Sequence, residues 1–158
     1  MALGLLLSIA ALAAAPRSFD GIAADVAVPV CLLLPMLPLA IAVARLAAHR
    51  FFTPADIDGS GLTAGTAPAR LLQALLQNTL EQVALAVPTY AAALYAAPAT
   101  AGRASVAAAC LFLLGRVLFF ARYRHGAAAR ALGFALTFYP TVLLLLWQTF
   151  LLARSALR

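Results

Sequence analysis

The chain has 158 residues, of which 65% are hydrophobic and 10% are charged, and its mean hydropathy is +1.00. Because a soluble domain contains roughly 45–50% apolar and 25% charged residues, this composition excludes a water-soluble globular protein. The net charge of +6 comes from eleven arginines and no lysine. These arginines flank or interrupt apolar segments instead of forming a basic face, which argues against nucleic-acid binding and for contact with membrane lipids.

The first apolar segment, residues 2–15, is 14 residues long and is followed by Pro16. A spanning helix needs about 20 apolar residues, so this segment is too short to cross a bilayer. It lacks the basic start of a cleaved leader, and Pro16 stands directly after the small residues where cleavage would fall. We therefore expect a retained interfacial or re-entrant helix, and we assign residues 1–20 to a short N-terminal apolar segment outside the membrane domain.

Four longer apolar segments follow, and they predict four membrane-spanning helices in one membrane domain, residues 21–158. Between the first two, residues 53–66 are rich in Pro, Gly, Asp and Thr, which is typical of a loop. The expected fold class is therefore all-α, an integral membrane four-helix bundle with a short extra N-terminal apolar helix. The predicted spans are residues 26–44, 71 to about 100, 104–121 and 131–153.

The arginines are distributed unevenly between the two sides of this bundle. Only four lie on the side where the chain enters the first span, and seven lie on the other side. Because basic residues favour the cytoplasmic side, we expect an integral, multi-pass protein whose Arg-rich loops are cytoplasmic. The seven are Arg45, Arg50, Arg70, Arg116, Arg122, Arg124 and Arg130.

A stripe of polar residues marks the start of the second span. It consists of Arg70, Gln73, Gln77, Asn78 and Glu81. Their spacing places all five on one face of a helix. Polar side chains on a membrane helix are costly and normally face the bundle interior, so the stripe is a candidate functional site, and we expect Glu81 to pair with an arginine such as Arg116. The alternative is that the stripe only joins helices through interhelical hydrogen bonds.

A second cluster lies at the corner between the third and fourth spans. Arg116, Phe119, Phe120 and Tyr123 share one helix face. Gly126 can end that helix, so that Arg130 opens the fourth span. Basic residues at such a corner are also typical of anchors at the membrane interface, and spacing alone leaves both interpretations open.

Metal and disulfide chemistry is not expected. His125 has no His, Cys or carboxylate at metal spacing beside it. Residues 56–61 superficially resemble a calcium loop, but Ala67 stands where a bidentate Glu is needed, and we predict a capped turn instead. Cys31 and Cys110 lie inside apolar runs and are expected to be free thiols.

In order and spacing, three motifs together resemble the MAPEG family, the membrane-associated proteins in eicosanoid and glutathione metabolism. The motifs are Asn78-x-x-Glu81, Gly115-Arg116 with Tyr123 seven residues after the arginine, and Arg130 seven residues later. The resemblance extends over residues 45–139. Known members are homotrimers of four-helix subunits that bind glutathione between neighbouring subunits, near the cytoplasmic face. The resemblance therefore implies a homotrimer with glutathione as co-substrate and a lipophilic small molecule as the second substrate.

The resemblance also implies a role for each matching residue. Asn78 and Glu81 match the residues that hold the glutathione backbone and its α-amino group. Arg45 matches a first-helix arginine that meets a glutathione carboxylate, and Tyr123 matches a tyrosine that lines the tripeptide. Arg116 matches a buried arginine that pairs with polar groups of the second helix.

Arg130 is the candidate catalytic residue. It matches the arginine placed against the thiol in the leukotriene C4 synthase branch. A neighbouring guanidinium stabilises a thiolate, and an arginine stays charged even in a lipid-facing cleft. Two positions depart from the family pattern: Ala74 stands where typical eukaryotic members have an arginine, and Phe119 has no hydroxyl.

Three functions fit these residues. The first is a glutathione-dependent transferase or peroxidase acting on lipophilic electrophiles, in which Arg130 assists thiolate attack. The second is a non-catalytic trimeric membrane protein, and the third is a small-molecule carrier in which Glu81 relays protons. Thiol binding without transport distinguishes the first function from the third.

Overall fold

The protein is all-helical throughout the residues that the computed structural model describes, which are 1–59, 62 and 64–157. Short turns of tighter or wider helix join the main helices at Pro54–Asp56, Pro98–Gly102 and Tyr123–His125. The five main helices are α1 (Ala2–Ser18), α2 (Ala24–Phe52), α3 (Ala67–Ala96), α4 (Arg103–Arg122) and α5 (Ala127–Ala156).

Three segments, Ala24–Phe52, Pro98–His125 and Ala127–Ala156, are long and apolar enough to cross a membrane by length and composition. Helix α3 has 30 residues, which is also long enough, but its polar stripe lowers its apolar content. It packs along α2. Together these helices form the multi-pass bundle expected from the sequence, with α3 as the least apolar member.

The helices extend beyond the uncharged runs because arginine and histidine continue them at the membrane surface. Helix α2, for example, runs through His49 and Arg50 to Phe52. Helix α3 ends at Ala96, earlier than the predicted position near residue 100. Pro98 explains the difference, because a proline disfavours helical geometry in the residue before it.

Helix α1 packs against the bundle along its length, and the interfacial or re-entrant position expected for it in the membrane stays a prediction. Met1 lies in one cavity with Tyr123, beyond the C-terminal end of α4. At the N-terminal end of α4, Arg103 donates a 3.1 Å hydrogen bond to the Pro16 carbonyl. Helix α1 has 17 residues, a length of about 25 Å, and it therefore lies lengthwise along the bundle instead of across its surface.

Small residues allow α1 to pack this closely. Gly4, Ser8 and Ala15 are its buried residues. A Cβ atom on Gly4 would come within 2.4 Å of the Ala135 Cβ in α5, so only glycine fits there. The Ser8 hydroxyl is satisfied by the Gly4 carbonyl at 2.7 Å. The length of the apolar segment could not reveal this interface. The interface depends on how closely the backbones of α1 and α5 can approach, and not on a long apolar run.

A glycine crossing brings α4 and α5 into backbone contact. A Cβ on Gly115 would lie 2.7 Å from the Gly133 carbonyl oxygen, and a Cβ on Gly133 would lie 2.5 Å from the Phe119 amide nitrogen. Glycines thus set the spacing between the two helices at this point. The crossing lies next to Arg116 and Thr137, so it also fixes the distance across which those side chains meet.

Candidate functional site

Arg116 stands at the centre of the candidate site. Its side chain is fully buried, with 0% exposure. It donates 2.9 Å hydrogen bonds to Asn78 Oδ1 of α3 and to Thr137 Oγ1 of α5, and its guanidinium carbon lies 4.4 Å from the centre of the Phe119 ring. Among the described residues its partners are neutral oxygens and aromatic faces, so its positive charge is stabilised by dipoles and π electrons.

The bond from Arg116 fixes the orientation of the Asn78 amide. A guanidinium can only donate hydrogen bonds, so it must meet the amide oxygen of Asn78. The amide nitrogen, with its two N–H groups, is left for another acceptor. Asn78 also borders a cavity, and within the described residues no acceptor is recorded for its N–H groups.

This cavity has a volume of about 430 Å³, within the usual range for small-molecule sites. It brings together four of the residues singled out in the sequence, Asn78, Phe119, Tyr123 and Arg130. Arg130 lies with its guanidinium carbon 4.3 Å from the centre of the Tyr123 ring, and Phe119 meets Tyr123 edge to face at 5.2 Å. The cavity is lined by Met1, Asn78, Phe119, Tyr123, Ala127, Arg130, Ala131 and Phe134.

The local fold explains why Tyr123 and Arg130 meet. Helix α4 ends at Arg122, and Gly126 follows with φ +93°. Residues other than glycine rarely adopt this conformation. The chain therefore turns sharply into α5. Arg130, on the first turn of α5, comes back over Tyr123. The residues at this corner thus form one wall of the cavity, which contains the guanidinium of Arg130, the phenol of Tyr123 and apolar rings.

Glu81 does not join this group within one protomer. It is exposed, and its partner is Gln77, which donates a 3.0 Å hydrogen bond to it. The expectation that Glu81 pairs with Arg116 is therefore wrong for the single chain, because Asn78 occupies that place. Asn78 lies about 60° from Glu81 around the helix, so the two side chains face different neighbours.

The other arginines expected near the ligand are also at the surface of the protomer. Arg45 is exposed on α2. Arg70 is exposed at the start of α3, where it donates to the carbonyls of Ala64 and Gly65. On this side of α3 a second cavity, of about 360 Å³, is lined by Arg70, Gln73 and Gln77 among other residues. Within the polar stripe, Asn78 and Gln73 are half-buried, whereas Arg70, Gln77 and Glu81 are exposed.

The loop between α2 and α3 is held by hydrogen bonds to Asp56. Asp56 is buried, and it accepts hydrogen bonds from the Thr66 amide at 2.7 Å and the Thr66 hydroxyl at 2.6 Å. His49 lies 2.9 Å from the same carboxylate. The bonds from Thr66, with a smaller contribution from His49, hold the pKa of Asp56 below its ordinary value. Thr66 also caps α3, so Asp56 fixes the start of the helix that carries the stripe.

Sequence reasoning missed Thr137 and Phe134. Thr137 is buried and holds Arg116, and Phe134 lines the cavity. A signal was available for the first of these, since Gly133, Thr137 and Thr141 recur every four residues along α5. Small residues at that spacing mark a close helix interface in membranes.

A comparison of the chain with models of known protein families identifies the same family that the sequence motifs resemble. The model of the MAPEG family matches residues 24–150, which include α2 through most of α5 and leave α1 outside. No curated protein and no solved structure matches the chain significantly. The family match covers well over half of the sequence and every residue of the candidate site except Met1, and the chain therefore belongs to the MAPEG family.

Proposed function

We propose that the protein is a homotrimeric, glutathione-dependent transferase or peroxidase acting on lipophilic electrophiles. The observation that carries this proposal is the convergence of Asn78, Tyr123 and Arg130 on one cavity. An amide donor, a phenol and a guanidinium suit an anionic peptide, while Phe119 and Phe134 suit an apolar second substrate.

Glutathione has two carboxylates and one ammonium group. Arg130 and the amide N–H groups of Asn78 are suited to its anionic and carbonyl oxygens. Glu81 offers the countercharge for the ammonium, and Arg45 offers a partner for a carboxylate at the subunit boundary. These roles follow the family pattern.

The exposed side of α3 supports a trimer. Gln77 and Glu81 are exposed on this helix in the isolated protomer, and polar groups at membrane depth are costly unless they face protein or water. A neighbouring subunit packed against α3 would cover them. It would also enclose the second cavity and bring exposed groups such as Arg45 to the boundary, so that each ligand site is completed between two chains.

The proposed reaction begins with loss of the thiol proton of glutathione to water. Arg130 stabilises the resulting thiolate electrostatically, which raises the fraction of the reactive anion at neutral pH. The sulfur lone pair then forms a C–S bond with the electrophilic carbon. As that bond forms, the bond from carbon to its leaving oxygen or halide breaks, and a leaving oxyanion takes a proton from water.

Calorimetry with glutathione on the purified protein in detergent tests binding, and native mass spectrometry on the same sample tests the trimer. We expect saturable heat and a trimeric mass. Leu152→Ala, on the lipid-exposed part of α5, should leave both unchanged. A strictly monomeric protein that gives no heat with glutathione would favour the non-catalytic alternative.

A further inference from the structure

Helix α1 lies outside the matched family region, yet its first turn reaches the candidate site. The family match begins at residue 24. Met1 lines the cavity together with Tyr123, Arg130 and Phe134. The cavity wall on this side is therefore built by a helix that is additional to the family domain.

The docking of α1 is fixed at both of its ends. At the first turn, Gly4 is in close contact with Ala135 of α5. At the other end, Arg103 of α4 pairs with Asp20 at 2.8 Å and donates to the Pro16 carbonyl at 3.1 Å. Between them Ala15 is 1% exposed. Contacts at both ends make α1 a fixed wall and not a loosely attached tail.

We infer that α1 is a specificity-determining wall, whose first turn limits the size of the lipophilic electrophile that reaches Arg130. Helix α5 provides Arg130, and Gly4 of α1 packs against Ala135, five residues further along the same helix. An apolar substrate that enters from the bilayer on this side meets α1 first. The identity of the bound molecule as an electrophilic substrate rests on the proposed function. The position of α1 beside the cavity does not depend on that function.

The position of this wall indicates which electrophiles reach Arg130. A compact apolar electrophile can lie between Met1 and Arg130 without moving α1. A long acyl chain would have to displace the first turn of α1. We therefore assign compact apolar electrophiles, and not long-chain lipids, as the preferred class.

A labelling experiment without glutathione tests the wall directly. In a Cys31→Ala/Cys110→Ala background, Ala131→Cys places a thiol in the cavity wall, and Leu146→Cys places one on the 60% exposed, lipid-facing part of the same helix. Each protein is treated with small N-ethylmaleimide and with bulky pyrene maleimide. We expect the bulky reagent to discriminate strongly against Ala131→Cys and weakly against Leu146→Cys.

Gly4→Leu should push the first turn away from Ala135. The rate of pyrene maleimide with Ala131→Cys should then rise about tenfold, which corresponds to about 1.4 kcal/mol of barrier, while the small reagent is little affected. Ala10→Leu adds a similar side chain on the exposed side of α1 and should change neither rate. Unchanged size discrimination in a folded Gly4→Leu protein would overturn the inference.

If Gly4→Leu does not fold, Gly4→Ala gives the same test with one added methyl group, and Ala135→Gly in the second helix should restore discrimination by making room. Failure of Gly4→Ala to alter discrimination would equally contradict the wall. A wild-type protein that does not bind glutathione would overturn the proposed function, but the labelling results would still test the position of α1. If turnover is measurable, Gly4→Leu should improve kcat/KM for bulky electrophiles relative to compact ones.

Discussion

Arg116 on α4 and Asn78 on α3 are joined by a 2.9 Å hydrogen bond between the guanidinium and the amide oxygen. This contact links the buried cation of the bundle to the wall of the candidate site. It satisfies part of the Arg116 side chain, and among the described residues the amide N–H groups of Asn78 have no recorded acceptor. In the proposed function, different atoms of Asn78 would therefore contribute to stability and to binding.

Asn78→Asp should separate these two roles. A carboxylate still accepts the bond from Arg116, so the melting temperature should be kept or raised. It cannot donate and it repels an anionic peptide, so glutathione affinity should fall about tenfold or more. Thermal unfolding and calorimetry measure the two effects.

Asn78→Leu is the control, because it removes both roles and should also cost about 1–3 kcal/mol of stability. Unchanged affinity in Asn78→Asp would show that the amide donors do not contact the ligand.

The glycine crossing predicts a local limit on side-chain size. In Gly115→Ala the new Cβ would meet the Gly133 carbonyl and Thr137, so we expect a loss of about 1–3 kcal/mol in unfolding free energy. Gly102→Ala, directly before the N-terminus of α4, meets atoms only at 3.5 Å, which is ordinary contact, and serves as the control. Equal thermal stability of the two variants in the same detergent would contradict the close contact between α4 and α5 at Gly115.

The Asp56 contacts predict a dependence of stability on acid pH. Because the pKa of Asp56 is lowered in the folded protein, its contribution is present above the unfolded value of about 3.9 and is lost as the pH falls through the lower folded pKa. Asp56→Asn should reduce the melting temperature near neutral pH and flatten its decline in acid. Asp58→Asn, at an exposed neighbouring position, should leave the profile unchanged, and a flat wild-type profile would contradict the assignment.

The exposed carboxylate of Glu81 predicts a charge effect on binding. Glu81→Gln keeps the shape of the side chain but removes the countercharge for the glutathione ammonium, so affinity should fall about tenfold, the loss of one charge-assisted hydrogen bond. Gln77→Leu removes the neighbouring donor but keeps the charge, and it should have a smaller effect. Calorimetry in which Gln77→Leu is the more damaging variant would argue that the pair serves only helix association.

The sequence predicts the helices well because hydrophobic runs and loop residues are local features. Helices α2 to α5 appear where the apolar segments predicted them, and prolines and arginines account for the shifted ends. The stripe on α3 was also predicted, but spacing could not show which member faces inward. Asn78 lies at one edge of the stripe, and a rotation of the helix by about 60° decides whether Asn78 or Glu81 meets Arg116.

Other features depend on how two distant segments fit together. The position of α1 depends on the close contact between Gly4 and Ala135. The hydrogen bonding of Arg116 depends on Thr137, which lies 21 residues further along the chain. Neither contact is visible from the composition of one segment. The glutathione site stays a prediction, because the proposal assigns part of it to groups, such as Glu81 and Arg45, that a single protomer leaves exposed.

The thiolate of bound glutathione is the most direct test of the proposed function. Ultraviolet titration of the wild-type protein with glutathione at neutral pH should show thiolate absorbance, because Arg130 stabilises the anion. Arg130→Ala should abolish this signal and reduce turnover about a hundredfold, the size typical of losing one electrostatic donor at a reacting centre. Affinity should fall much less, because Asn78 and Glu81 hold the tripeptide in every protonation state. A wild-type protein that binds glutathione without any thiolate signal, or equal losses of affinity and turnover in Arg130→Ala, would contradict the catalytic role of Arg130.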